Sequence, residues 1–226
     1  MSEQERSRWT RPILLVALLL PLGLLTFIYL GTTQEFEGVP YEYDLVDGDT
    51  VYHTLPVFSL VNTQGDTVTQ EDLLGKIVLL SFFAVGDDSL SKTTVLFGNL
   101  MRTYENIEWE REPPFQFVSI ATGDSVGAVR AFAQGQESDP THWRFWTGKQ
   151  EQVLEIAKQA RGFAELASKQ PGFEPFTSQR AALIDKEGRV RRYYMATDLQ
   201  EERDIQEDLI TLLRIDYPED IKKMQE

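Results

Sequence analysis

Residues 75–104, GKIVLLSFFAVGDDSLSKTTVLFGNLMRTY, decide how this chain is read. Ile77 to Phe83 is continuously apolar, the pattern of a strand covered on both faces. Gly86-Asp87-Asp88-Ser89 is a turn, and from it to Tyr104 the residues Leu90, Thr94, Phe97, Met101 and Tyr104 recur at helical spacing. A buried strand that runs through a short loop into an amphipathic helix puts that loop at a helix N-terminus. A thiol placed there has its pKa lowered and is open to solvent. The chain contains no cysteine, so disulfides, thiolate metal sites and thiol redox chemistry are excluded.

The flanking segments extend the pattern. Phe58-Ser59-Leu60 alternates, Thr63-Gln64-Gly65-Asp66 turns and Thr67-Val68-Thr69 returns, which predicts a hairpin. Thr69 and Asp72 have capping-box spacing, and Leu73-Leu74-Gly75 closes that helical turn. After Pro113-Pro114, Phe115 to Ile120 is a second buried strand, and Asp124-Ser125 caps a short helix with Val126, Val129 and Phe132 inward. Gly135 to Thr141 is a polar loop, and His142 to Trp146 alternates as a strand. Thr147 to Gln150 reads as another capping box, opening a helix with Val153, Ile156, Ala157 and Ala160 on one face. Residues 168–179 read as loop, Ala181 to Tyr194 as a second hairpin turning at Asp185–Gly188, and Glu201 to Ile215 as a last amphipathic helix stopped by Pro218. Hairpin, β-α-β-α-β, hairpin and helix together predict an α/β domain, an open twisted sheet with helices on both faces.

Ahead of that domain, Ile13 to Leu30 is an uncharged run of 18 residues. At helical rise it reaches about 27 Å, enough for a bilayer core. Arg6, Arg8 and Arg11 precede it and Glu35 and Glu37 follow, so the positive-inside rule keeps residues 1–12 cytoplasmic. A cleaved signal peptide is the competing reading, but the run is long for one and no A-x-A pattern follows. The expected organisation is a cytoplasmic segment 1–12, a transmembrane signal-anchor 13–30, a polar spacer 31–54 in which His53 is solvated, an α/β domain 55–217 and a tail 218–226. That places the domain on the outer face of a plasma membrane. Apolar content of 42% and charged content of 26% are ordinary for a folded protein. The net charge of −14 repels nucleic acid and anionic headgroups.

Along Leu55 to Ile215 the chain resembles the SCO1/SenC family, membrane-anchored proteins of thioredoxin-like fold, a central mixed sheet flanked by helices. The carriers are Phe58-Ser59-Leu60 through Gly65, Asp72 to Lys76, and Phe82 followed by Ser91-Lys92-Thr93-Thr94. Trp143 through Thr147-Gly148, and Leu183-Ile184-Asp185 with Gly188-Arg189, complete the set. The resemblance implies a Cys-x-x-x-Cys-Pro motif after the first core strand and a distant His. These bind copper and are implied in delivering it to, or reducing, the copper site of cytochrome c oxidase. Aligned on the carriers, the two cysteine positions fall on Asp87 and Ser91, the proline on Lys92 and the histidine on Thr177. The resemblance is therefore to a divergent member lacking those ligands. Cu(I) takes thiolate, thioether or imidazole, whereas Asp, Ser and Thr offer only hard oxygen. No copper or other cofactor is therefore expected.

Three functions stay open. The first is a non-enzymatic scaffold or assembly factor, with the membrane and respiratory oxidase subunits as partners. The second is a copper carrier with a site rebuilt from His142, Met195 and carboxylates. The third is an acid–base enzyme using Asp87 and Asp88, residues that equally suit helix capping. Met101 falls on the apolar face of its helix and reads as core. Arg191, Arg192, Tyr193 and Tyr194 read as a basic-aromatic interaction patch in an acidic domain.

Overall fold

A computed structural model of the chain describes residue 21 and residues 38–86, 90–104, 112–136, 141–160, 163, 180–195 and 199–223. The chain divides into two contact units, Met1–Glu37 and Gly38–Glu226. Apart from Pro21, the 13–30 run lies outside the described residues, and among the described residues no helix is long and apolar enough to cross a membrane.

Within Gly38–Glu226 the strands are β1 (Tyr43–Val46), β2 (Asp49–Tyr52), β3 (Ser59–Asn62), β4 (Thr67–Thr69), β5 (Ile77–Phe83), β6 (Phe115–Thr122), β7 (Trp143–Gly148), β8 (Arg180–Ile184) and β9 (Val190–Met195). The helices are α1 (Leu90–Tyr104), α2 (Val126–Gly135), α3 (Gln150–Gln159), α4 (Leu199–Asp216) and α5 (Pro218–Lys223). Seven strands form one sheet in the order β4-β3-β7-β6-β5-β8-β9. The central β5, β6 and β7 are parallel, and the outer strands add antiparallel. This is the mixed sheet flanked by helices that the resemblance implies.

Strand alternation sorts the continuous apolar run of β5 onto both faces. Ile77, Leu79 and Phe83 pack with Phe97, Leu100 and Tyr104 of α1 and with Ile205, Leu209 and Leu212 of α4. Val78, Leu80 and Phe82 pack on the other side with Val153, Ile156 and Ala157 of α3. Each buried side chain of this size contributes about 1.5–3 kcal/mol, so covering both faces is what makes an unbroken apolar strand favourable. Within the sheet, the buried Ser81 and Ser119 hydroxyls lie 3.1 Å apart, and Trp143 Nε1 donates to Ser119 Oγ at 3.0 Å, so these polar groups are paired.

Thr69 and Asp72 form the expected capping box, on the short 3-10 helix Gln70–Leu73. The second box, at Thr147–Gln150, does not form. β7 runs through Gly148, Lys149 is the extended residue before α3 with no side-chain cap, and the Thr147 hydroxyl donates instead to the Asp124 carbonyl at 2.7 Å. Strand pairing wins because the alternation from Trp143 continues into Thr147, which is buried in the sheet. The tail is likewise partly helical, since Pro218 opens α5, the first helical position, where its missing N–H costs nothing.

The larger correction concerns residues 38–54. They form no solvated spacer: β1 and β2 pair as a hairpin, with Asp47 and Gly48 both at positive φ in its two-residue turn. Its base is tied to β9. Glu42 N–H donates to Val190 O, Val190 N–H to His53 O and His53 N–H to Glu42 O, at 3.1, 2.7 and 2.8 Å. The His53 side chain is largely buried, with Nε2 3.3 Å from Asp44 Oδ2.

Candidate functional site

The three parallel strands end together, and α1, α2 and α3 start from that end, so the site rim lies at the C-terminal edge of β5, β6 and β7. Four hydrogen bonds lace it. Thr122 Oγ1 donates to Phe83 O at 3.1 Å, tying β6 to β5. Val85 N–H donates to Asp124 Oδ2 at 3.0 Å, holding the loop after β5 against the loop after β6. Thr147 Oγ1 reaches the Asp124 carbonyl, and Ser125 Oγ accepts from Ala128 N–H at 3.2 Å to cap α2. Gly86 and Gly123 turn at φ of 90° and 77°, conformations that L side chains rarely adopt. A Cβ on Gly148 would come within 2.4 Å of Leu60 Cδ2.

The positions that the resemblance aligns with the family's ligands fall at this rim in part. Ser91 stands in the first turn of α1, while Asp87 and Thr177, like Asp88, lie outside the described residues. The groups considered for a rebuilt metal site do not converge. Met195 ends β9 opposite Arg180 at the start of β8, which is the rim end of the sheet because β8 runs antiparallel to β5. His142 precedes β7 at the opposite end, buried with its ring 5.9 Å from Phe115. The length of β7, roughly 17 Å at strand rise, separates the two ends. Met101 is buried in the core. Among the described residues there is no group of three or more His, Cys, Asp or Glu placed to share an ion.

Arg191 to Tyr194 do not make an exposed patch. Arg191 is buried, donates to the Val39 carbonyl from Nε and Nη2, and sits with Nη1 3.3 Å from Asp185 Oδ2. Asp185 is fully buried and also accepts from the Glu187 and Arg189 N–H groups and from Arg189 Nε. Tyr193 donates to Ala160 O at 2.6 Å. Tyr194 donates to Asp208 Oδ2 at 2.6 Å; burial first, then that bond, pushes its hydroxyl far above the ordinary tyrosine pKa. Arg192, half-buried, pairs with Asp204 and Asp208 of α4. The four residues fasten β9 to its neighbours on both faces. The β-bulge between Leu183 and Ile184 shifts the register of this hairpin, which strict alternation does not anticipate.

Sequence reasoning missed Asp124 as the brace of the rim, the Asp185–Arg191 pair and the β1–β2 hairpin. For the hairpin a signal was present: Asp47-Gly48 between Tyr43-Asp44-Leu45-Val46 and Asp49-Thr50-Val51-Tyr52, a dipeptide with the preferred chemistry of a two-residue turn.

The SCO1/SenC family model matches residues 47–214. No curated protein sequence matches the chain significantly. Among solved structures it is similar to a SCO1/SenC family lipoprotein from Bacillus anthracis, with 22% identity, 72% of this chain and 96% of that chain covered, and a TM-score of 0.61. It is similar to BsSco, described as a member of the Sco family of cytochrome c oxidase assembly proteins, with 18% identity, coverage of 76% and 97%, and a TM-score of 0.56. It is also similar to Arabidopsis thaliana ScoI with copper bound, at 17% identity, coverage of 72% and 99%, and a TM-score of 0.53. At these identities the structural likeness speaks for the fold.

Proposed function

Because the chain belongs to the SCO1/SenC family, we propose that it is a membrane-anchored, non-enzymatic member of it, a scaffold or assembly factor that associates with a respiratory cytochrome c oxidase. One observation carries this reading: the sequence has no cysteine, and the positions that the resemblance aligns with the family's copper ligands are Asp87, Ser91 and Thr177. The donor set does not fit copper. Two neutral hydroxyls and one carboxylate are hard ligands for a soft cation, and none can cycle through a disulfide. What such a protein retains is the fold, the surface and the location. The rim is braced by Thr122, Asp124 and Thr147 without any thiol, which supports a scaffold that keeps its architecture without the chemistry. The oxidase connection comes from the family, whose relative BsSco is described as an oxidase assembly protein. The membrane connection comes from the 13–30 run and the arginines before it, with the domain on the outer side of the plasma membrane.

The test is purification of the full-length protein from its own membrane in mild detergent, with its partners identified and copper measured. Oxidase subunits co-purifying with a protein that carries copper far below one equivalent is the expected result. Recovery of the protein alone with one equivalent of copper would overturn it.

A further inference from the structure

The β1–β2 hairpin is built in two halves with opposite characters. Its base is clamped: besides the hydrogen bonds to β9, the Tyr41 ring lies under the Arg191 guanidinium at 3.8 Å and the Arg189 guanidinium at 4.7 Å, and packs 5.0 Å from the Tyr52 ring. Its outer half is open to solvent. An isolated two-stranded hairpin is marginal in water, and this one does not hold its apolar residues in a core. Tyr43, Leu45, Val46, Val51 and Tyr52 are all exposed, Leu45 at 70% and Tyr43 at 53%. That is half of the exposed large apolar residues described, gathered on two four-residue strands. Such a cluster marks an interaction site.

The register divides the hairpin further. Tyr43 faces Tyr52 and Leu45 faces Thr50, so one face is uncharged. Asp44 faces Val51 and Val46 faces Asp49, so the other face carries the acids, joined at the turn by Asp47. We infer that the Tyr43–Leu45–Thr50–Tyr52 face is a docking surface for a protein partner whose apolar recess is bordered by Lys or Arg.

The chemistry selects that occupant over two others. A second copy offers this face no basic border, since its own hairpin carries Asp44, Asp47 and Asp49 and no Lys or Arg. It would also bring two acidic turns together on chains of net charge −14. An anionic lipid surface meets the same acids, Asp47 and Asp49, with repulsion. A basic border instead meets Asp47 at the turn, and Asp49 next to it, as steering and register contacts at the end of an aromatic-aliphatic face, the composition of binding hot spots. This inference stands on the hairpin and not on the oxidase reading.

The test places a photo-reactive amino acid at Leu45 of the full-length protein in its native membrane, with Val57, exposed at 85% on the approach to β3, as the control position. The charge variant is Asp47→Asn with Asp49→Lys, because Asn keeps the left-handed turn that Asp47 adopts at φ 53°. An unchanged unfolding midpoint verifies that the hairpin base is retained. The expected result is one protein adduct at Leu45, absent at Val57 and at least tenfold weaker in the charge variant. Its cross-linked peptide should map to an apolar segment flanked by Lys or Arg. Adducts to a second copy or to lipid only, an adduct insensitive to the charge variant, or none at all would each overturn the inference. An adduct to a basic protein unrelated to the oxidase would keep it while counting against the oxidase reading.

Discussion

Tyr104 ends α1 inside the core, 4.8 Å from the Phe115 ring, and its hydroxyl has no hydrogen-bond partner among the described residues. Burial raises its pKa to about 12 from an ordinary 10.0. A tyrosine whose folded pKa is raised costs nothing below its unfolded pKa. Above it the unfolded chain sheds the proton first, so stability is lost as pH rises from about 10 towards 12. The loss approaches 2–3 kcal/mol at the upper end, at roughly 1.4 kcal/mol per pH unit. Tyr104→Phe should therefore leave stability at pH 7 unchanged or slightly higher, since it removes an unsatisfied buried hydroxyl, and should flatten part of the alkaline decline. Urea midpoints of both proteins at pH 7, 10 and 11.5 check this. Equal slopes above pH 10 would show that Tyr104 is not the group responsible.

At the scale of elements, the rim depends on one short loop holding another. Asp124 is the link, its carboxylate on Val85 N–H and its carbonyl receiving the Thr147 hydroxyl. Asp124→Ala removes only the first of these. The expected cost is about 1 kcal/mol of global stability, together with faster hydrogen exchange at the Val85 amide, at least tenfold. An unchanged Val85 amide would mean that packing of Val85 against the core, and not the carboxylate, sets the loop. A helix-cap role alone does not predict the effect, because Ser125 already caps α2.

For the whole molecule, the decisive packing is that of residues 38–54 on β9. Val39 joins the core, and its carbonyl is a partner of the buried Arg191, itself paired with buried Asp185. Opening one side of a buried ion pair is costly, about 3–5 kcal/mol when a partner is lost outright. A soluble form beginning at Gly38 is therefore expected to be more stable than one beginning at Leu55 by roughly 3 kcal/mol, read as the difference between their denaturant midpoints at matched slope. Identical midpoints would return residues 38–54 to the status of a spacer.

Much of this protein is legible without coordinates. The unbroken apolar runs at Ile77–Phe83 and Phe115–Ile120, the helical spacing from Leu90 to Tyr104 and the Thr69–Asp72 box each state a local preference that the fold honours, because periodicity and capping are decided within a few residues. The absence of cysteine is likewise a property of the sequence, and no packing can reverse it. The tertiary structure alone decided where long-range partners meet. Arg191 to Tyr194 look like an exposed patch until Asp185, Val39, Ala160 and Asp208 are brought to them across 6 to 152 residues of chain. Thr147 looks like a helix cap until the Asp124 carbonyl arrives 23 residues away. His142 and Met195 look like co-ligands until strand direction sends them to opposite ends of the sheet. A side chain's partner depends on which segments the sheet makes neighbours, and strand order and register are global properties that no local pattern encodes.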